Sequence, residues 1–482
     1  MSNAFEGLEP RVVWKNFAAL TQVPRPSGHE AQAREFMIGW AKEHAFDTEV
    51  DGVGNLLVRV PGAAGKENAP TLVLQGHLDM VGEKNNDVTF DFLTEPLNIV
   101  RDGDWLKAQG TTLGADNGIG LALAMALAED PEVANPPLEI LCTIEEETGL
   151  VGATNLQPGY VTGRRLINID SEEEGYIFVG CAGGCDTETF LPLEFVELPP
   201  EFQILSVKVK GLVGGHSGLT IHENRGNALK FLAALLRRAA LQDEFSLCLF
   251  SGGDKHNAIP REAQAIVAGP ADLKERLESL AAEMKPELTQ EFGRIDGGFF
   301  FEFAGAGADE GLQREDSINF FNLLLALPHG VDTMSKEISG MVETSSNLAR
   351  VDWEDDHALL LNSSRSSVAS ALDRLLERIS AVTALAGADA QHGEGYPGWQ
   401  PNLDSELLVI AKEQYLAVTG KEAVVTAIHA GLECGIIGEQ YPGMDMISIG
   451  PDMFDVHSPD ERLSIPSTAR FYTFLKALVG AL

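Results

Sequence analysis

Four short segments set histidines and acids at the ends of apolar runs, where they could gather cations and activate a water molecule. His77 and Asp79 stand two apart in Gly76-His77-Leu78-Asp79-Met80. In extended backbone, residues i and i+2 share a face, so both can address one site. A metal-ligating histidine needs its second ring nitrogen held by an acceptor, and Asp79 is placed for that task. Asp116, in Leu113-Gly114-Ala115-Asp116-Asn117-Gly118, opens an apolar helix, where an aspartate can equally be an N-cap. Glu145, Glu146 and Glu147 follow the apolar run Leu138–Ile144 directly, and Asp170-Ser171-Glu172-Glu173-Glu174 follows Leu166–Ile169 in the same way. Acidic runs are commonly solvated loops, but those at the C-terminal ends of buried strands lie where open α/β sheets hold ligands.

Together these segments bring His77, Asp116, Glu147 and Asp170 toward one sheet edge. Carboxylates buried together without compensation are strongly destabilising, so the pattern implies cations. Mixed histidine and carboxylate donors suit zinc, with manganese or cobalt as substitutes.

The elements that must position these donors read as α/β. Thr71–Gly76, Leu138–Ile144 and Leu166–Ile169 are short buried strands, and Gly118–Glu129 is a helix apolar nearly all round. Strands alternating with helices predict a mostly parallel central sheet. Glycine-rich breaks at 181–185 and 391–398 interrupt the pattern, the first supplying flexible φ angles. Beyond the second, a helix over Leu407–Thr419 and a strand over Met446–Ile449 resume it. The chain therefore divides into a catalytic domain over 1–183 and 398–482, with an inserted α+β domain over 184–397. That insert reads as an internally doubled, ferredoxin-like unit. Its first half runs from a strand at Ile204–Val209 through a helix at Asn227–Arg237 to Asn257-Ala258-Ile259-Pro260. Its second half runs from a strand at Phe320–Leu327 through Ser346–Ala349 to a tail over Ser367–Ala381.

At 482 residues, two domains are the expected number. Hydrophobic residues make up 44% and charged residues 22%, the balance of a globular protein rather than a disordered chain. Seventy-two acids against 35 bases leave a formal charge of -37, which disfavours nucleic acid and anionic membrane surfaces as partners. No apolar run reaches the ~20 residues that span a bilayer, and no secretion signal is evident, so the expected location is the cytoplasm. Five scattered cysteines argue for reduced, structural thiols rather than a disulfide framework.

Gly76-His77-x-Asp79, Gly114-Ala115-Asp116-Asn117-Gly118, Glu146-Glu147-x-Gly149, Gly214-Gly215-His216-Ser217-Gly218 and the late His457 resemble the co-catalytic zinc peptidases related to carboxypeptidases, aminoacylases and carnosinase. The resemblance spans nearly the whole chain. Its finer pattern, Ile144-Glu-Glu-Glu-Thr-Gly-Leu and Asp170-Ser-Glu-Glu-Glu, is similar to the branch that cleaves dipeptides, Xaa-His dipeptides such as carnosine among them. The resemblance implies two Zn2+ ions bridged by Asp116, with His77 and Asp170 completing one site and Glu147 and His457 the other. Glu146 would be the general base, Asp79 the partner of His77, and the Asp116-Asn117 peptide cis. The insert would act as a lid, with His216 stabilising the oxyanion, Asn257 contacting substrate and Arg365 gripping the free C-terminal carboxylate. A guanidinium suits that task in so acidic a chain, although an arginine facing solvent is the plainer alternative. Family members dimerise through a smaller lid, so a doubled one would take part of that interface into a single chain and leaves a homodimer open.

Other readings are an N-acyl amino acid deacylase or tripeptidase on the same metals, and a catalytically silent metal-binding scaffold. The scaffold reading expects a lost ligand or base, and none is lost. A nucleotide-binding Rossmann unit would need Gly-x-Gly-x-x-Gly, which Gly52-Val53-Gly54-Asn55 does not supply.

Overall fold

A computed structural model describes residues 3–354 and 356–482. It separates into two compact units. The first holds the chain through Cys181, Trp399–Ala427 and Leu432–Leu482; the second holds Ala182–Gly398 and Ile428–Gly431.

The first unit is built on an eight-stranded sheet, in the order Asp47–Val50, Leu56–Val60, Leu138–Thr143, Leu72–His77, Arg165–Asn168, Asp445–Ser448, Tyr176–Cys181, Val424–Ile428. The strands from Leu138–Thr143 to Asp445–Ser448 run parallel, and antiparallel pairs extend the sheet on both sides. Leu72–His77 and Leu138–Thr143 are buried at every position, which is why they read as continuous apolar runs. Because the central strands are parallel, their C-terminal ends lie on one side. His77 ends one strand, Glu145–Glu147 follow the next, and Asp170 follows the third. The apolar helix Ala115–Glu129 is buried at twelve of its fifteen positions.

The second unit centres on one nine-stranded sheet. Four strands lie in the order Phe300–Gly305, Gln203–Lys210, Ala263–Gly269, Ser246–Gly252, and with helices Ala228–Ala240 and Leu273–Asp296 they form a ferredoxin-like βαββαβ unit. The next four, Val342–Trp353, His357–Ser366, Gly183–Pro192 and Asp389–His392, repeat the arrangement with helices Arg314–Ala326 and Ala369–Leu385. The two copies join through their second strands, with Gly252 opposite Val351. The doubling is thus spliced: the first copy is inserted between the first strand and first helix of the second.

That splicing corrects one expectation. Phe320–Leu327 is not a strand: Phe320–Ala326 belongs to the helix Arg314–Ala326, and Leu327 follows its end. Ser317, Phe320, Phe321 and Leu324 are buried at positions i, i+3, i+4 and i+7, one stripe of a helix. The apolar run is short enough to fit either period, and Glu315 and Asp316 in the first turn favour the helix. Phe320 packs edge-on to Phe250, 5.2 Å between ring centroids. The strand that opens the second copy is Gly183–Pro192, far upstream.

The glycines of the 181–185 break also act differently from expectation. Gly183 and Gly184 do not have positive φ. A Cβ at Gly183 would sit 2.6 Å from the Tyr396 carbonyl, so small size is what admits the returning segment 396–398. All five cysteines are unpaired, and burial pushes the Cys142 thiol up to about 12, which keeps it a thiol. No helix among the described residues is long and apolar enough to cross a membrane.

Candidate metal centre

In the first unit, the strand ends bring His77, Asp116, Glu146, Glu147, Asp170 and His457 together. Three groups of possible ligand atoms lie within 4.8 Å of one another: His77 with Asp116 and Asp170, His77 with Glu146 and Glu147, and Asp116 with Glu147 and His457. Asp116 joins the first group to the third. Its Oδ1 lies 2.9 Å from His77 Nε2, and its Oδ2 lies 3.1 Å from His457 Nε2. One carboxylate therefore offers one oxygen to each histidine, the arrangement a ligand bridging two ions requires. Asp170 Oδ1 completes the first group, 3.4 Å from His77 Nε2, and Glu147 Oε2 completes the third, 3.0 Å from His457 Nε2. Donors about 2.0–2.1 Å from a tetrahedral zinc stand roughly 3.3 Å from each other, close to these spacings. Glu147 Oε1 and Asp170 Oδ1 are buried without a hydrogen-bond donor, as ligand oxygens awaiting a cation would be.

Asp116 does not cap its helix. Gly114 occupies the cap with φ 64°, no side chain caps there, and Asp116 and Asn117 have non-helical dihedrals joined by a cis peptide. The open N–H groups are instead taken by Glu461, whose Oε2 accepts from Leu113 and Gly114 and whose Oε1 accepts from Ala115 and Asp116.

His77 Nδ1 finds its nearest acceptor in the backbone carbonyl of Asp79, at 3.1 Å, with the carboxylate at 3.4 Å. The Asp79 carboxylate also accepts from the N–H groups of Glu146 and Glu147 and from Ser27 Oγ, so it ties the His77 loop to the Glu146 loop. Burial opposes its ionisation, but the bonds from His77 and Glu146 bring the carboxyl down to about 2.

The charges are mutually dependent. Burial would lower the His77 pKa, yet Asp170, Asp116 and Asp79 hold it well above the ordinary histidine value. His457, bonded to Asp116 and Glu147, is raised to about 11. Desolvation and the charges of Asp170, Glu433 and Glu147 push Glu146 well above the usual carboxylate range. Glu145 stands apart from all three groups with φ 47°.

In the second unit, His216 and Asn257 share a small two-stranded ribbon in which His216 pairs with Ala258 and the N–H of Ser217 donates to the Asn257 carbonyl at 2.8 Å. His216 Nδ1 accepts from the N–H groups of Gly218 and Leu219, at 3.0 and 3.1 Å. In the neutral ring the proton is therefore on Nε2, which leaves that nitrogen a donor. Burial, Arg365 and His256 lower the His216 pKa and favour the neutral form. Arg365 is 7% exposed, which removes the reading of a solvent-facing arginine. Its Nη1 donates to Tyr396 Oη at 2.8 Å, and its Nε is buried without a partner. Ser345, opposite Arg365 in the sheet, lies 2.7 Å from His429 Nε2.

Several residues of these two clusters do not stand out by spacing. Glu461 lies four positions after His457, in a segment where every acid looks alike. Glu433 opens a helix, yet its buried carboxylate bonds Thr143 and Gln75 beneath the His77 strand. Arg25, Tyr396 and His429 have no pattern around them.

A model of the family described as peptidase family M20/M25/M40 matches residues 73–481. The chain is 42% identical to the cytosol non-specific dipeptidase of Escherichia coli strain K12, over 98% of each. It is 38% identical to a solved aminoacylhistidine dipeptidase from Vibrio alginolyticus, with a TM-score of 0.92, covering 100% of this chain and 98% of that one. An aminopeptidase structure from Bacillus cereus, at 14% identity and a TM-score of 0.57 over 98% of each chain, shares the fold.

Proposed function

The chain belongs to peptidase family M20/M25/M40, and from that premise we propose that it is a metal-dependent dipeptidase with aminoacyl-histidine dipeptides among its substrates. The observation that carries this reading is the Asp116 carboxylate, with one oxygen toward His77 and the other toward His457. Asp116 would hold both ions, His77 and Asp170 one, Glu147 and His457 the other. Zinc suits the donor set, and cobalt or manganese would substitute. Bound ions there supply Lewis-acid polarisation of the substrate carbonyl and an acidified water.

Glu146 takes the proton of the attacking water and passes it to the leaving amine, a role that suits a carboxyl raised above its usual range. Asp79 fixes the His77 ring and the Glu146 backbone. His216, a neutral donor at Nε2, steadies the oxyanion, and Asn257 contacts the substrate. Arg365 binds the free carboxylate that distinguishes a dipeptide from an internal peptide segment. The cytoplasm is the expected location, and the name of the Escherichia coli relative supports it.

The deciding experiment is a substrate panel on purified protein with zinc, cobalt or manganese. Carnosine, other Xaa-His dipeptides and unrelated dipeptides should be cleaved, while acetyl-amino acids and tripeptides should turn over poorly. Preference for acetyl-amino acids would move the assignment to a deacylase.

Two further outcomes follow from the same reading. Arg365→Met should raise KM for dipeptides by roughly 10²-fold, the ~3 kcal/mol expected for a lost charge-assisted contact. The same variant should be nearly indifferent to a dipeptide C-terminal amide; an equal penalty on both substrates would remove Arg365 from carboxylate binding. Chelation should lower the melting midpoint, because cations bound only to the folded chain contribute about 2.7 kcal/mol per site at 100-fold saturation. Readdition of zinc should restore it. A midpoint unmoved by chelator would count against resident metal.

A further inference from the structure

Two buried charged residues that the proposed reaction does not use grip the segments carrying the candidate ligands. Arg25 is 1% exposed and Glu461 is 2% exposed. Arg25 Nη1 donates to the carbonyls of Leu78 and Asp79, at 3.0 and 2.7 Å, and its Nη2 donates to the carbonyl of Gly114. Its own carbonyl accepts from the N–H of Met80, which fixes the arginine against the same loop. Glu461 takes the N–H groups on the other side of that turn, 2.7 Å from Leu113, 3.0 Å from Gly114, 2.8 Å from Ala115 and 3.4 Å from Asp116.

We propose that Arg25 and Glu461 are positioning residues that clamp the Asp116 turn to the His77 loop on one side and to the His457 loop on the other, and so set the spacing of a two-metal site. The inference rests on the reading that these donors hold metal. His77, Asp116 and His457 come from segments far apart in sequence, and each alone could shift. Arg25 ties residues 78 and 79 to residue 114, and Glu461, four positions beyond His457, ties its own loop to residues 113–116. A planar guanidinium with several fixed donors can serve three carbonyls at once, whereas an ammonium on a flexible stem cannot hold that geometry. A carboxylate accepts from four N–H groups, whereas a carboxamide at the same place turns a donor toward them.

The packing around the clamp leaves little slack. Gly114 has φ 64°, and a Cβ there would lie 2.6 Å from Met80 Sδ and 2.8 Å from Arg25 Nη2. A Cβ at Gly118 would lie 2.5 Å from the same Nη2. Both positions need a residue without a side chain because the guanidinium passes over them. Gly118 begins the regular part of a buried helix and has no positive φ that would call for glycine, so its lack of a side chain answers to the guanidinium.

The test is metal titration of full-length protein stripped by chelator, with zinc or cobalt against a competing indicator, and with cobalt absorption to report ligand geometry. Wild type should bind two ions. Arg25→Lys and Glu461→Gln should weaken binding by roughly 10- to 100-fold, the range seen when groups supporting metal ligands are removed, with an altered cobalt spectrum. Their kcat should fall while KM changes little, and Glu461→Asp should recover part of the affinity. Gly118→Ala keeps every charge but sets a Cβ 2.5 Å from Nη2, so it displaces the guanidinium without removing it and should show a smaller loss of metal affinity in the same direction; Glu461→Asp, which keeps the carboxylate, remains measurable where the other variants fold poorly. Metal-binding curves and cobalt spectra like wild type in the folded variants, with only the metal-free melting midpoint lowered, would overturn the clamp. Wild-type protein that takes up no ion would instead overturn the metal reading on which it rests.

Discussion

Glu146→Gln should leave a folded protein with its full metal content and lower kcat by roughly 10²–10⁴-fold, the contribution of a positioned general base. That is about 3–5 kcal/mol of transition-state stabilisation. The amide has the shape of the carboxyl but cannot accept the proton of the attacking water. Folding should survive because the backbone N–H that Glu146 contributes to Asp79 is retained. The environment sharpens the expectation through pH. Without bound ions, desolvation and the nearby charges of Asp170, Glu433 and Glu147 raise the Glu146 carboxyl; cations held beside it oppose that rise, and in either case the carboxyl must lose its proton before it can act as a base. Wild-type kcat/KM should therefore rise as pH climbs through the Glu146 pKa of the metal-loaded protein. Glu146→Gln should lose that limb, because it has no carboxyl to ionise. A variant with the wild-type acid limb and substantial turnover would assign the base to another group.

What the sequence discloses about this centre follows from where its information is local. Glu147 and Asp170 are legible because each follows a buried apolar strand within a few residues, and parallel strands put those ends on one side. His457 is legible only through resemblance, since 341 positions separate it from Asp116. Arg25 and Glu461 are not legible at all. Their partners are backbone N–H and carbonyl groups, which leave no mark on side-chain spacing, and their contacts span 53 to 89 and 345 to 348 positions. In the second unit, the doubled pattern is visible but its register is not. The strand Gly183–Pro192 that opens the second copy precedes the whole first copy, so a linear search for a repeat aligns the largely helical Phe320–Leu327 segment in its place. An apolar run of eight residues does not by itself choose between the two periods.

Asp116→Asn should cost both ions at once, whereas His457→Ala should empty mainly one site. Oδ1 of Asp116 faces His77 and Oδ2 faces His457, so the residue belongs to both ligand groups, while His457 belongs to one. An amide offers one neutral oxygen and, in place of the second, an NH2 that repels a cation. Bound metal should therefore fall from two ions per chain to fewer than one in Asp116→Asn, and to about one in His457→Ala, as read by elemental analysis after gel filtration. Activity in Asp116→Asn should drop at least as far as in Glu146→Gln, but for a different reason. Added zinc should rescue neither variant fully, and chelation, which lowers the wild-type melting midpoint, should scarcely move that of Asp116→Asn. The pairing matters because a single shared carboxylate makes the two sites interdependent: the first ion neutralises charge that would otherwise burden Glu147 and Asp170, both already raised by burial. Two ions retained in Asp116→Asn, or equal losses in the two variants, would mean that Asp116 does not bridge and that the two groups bind independently.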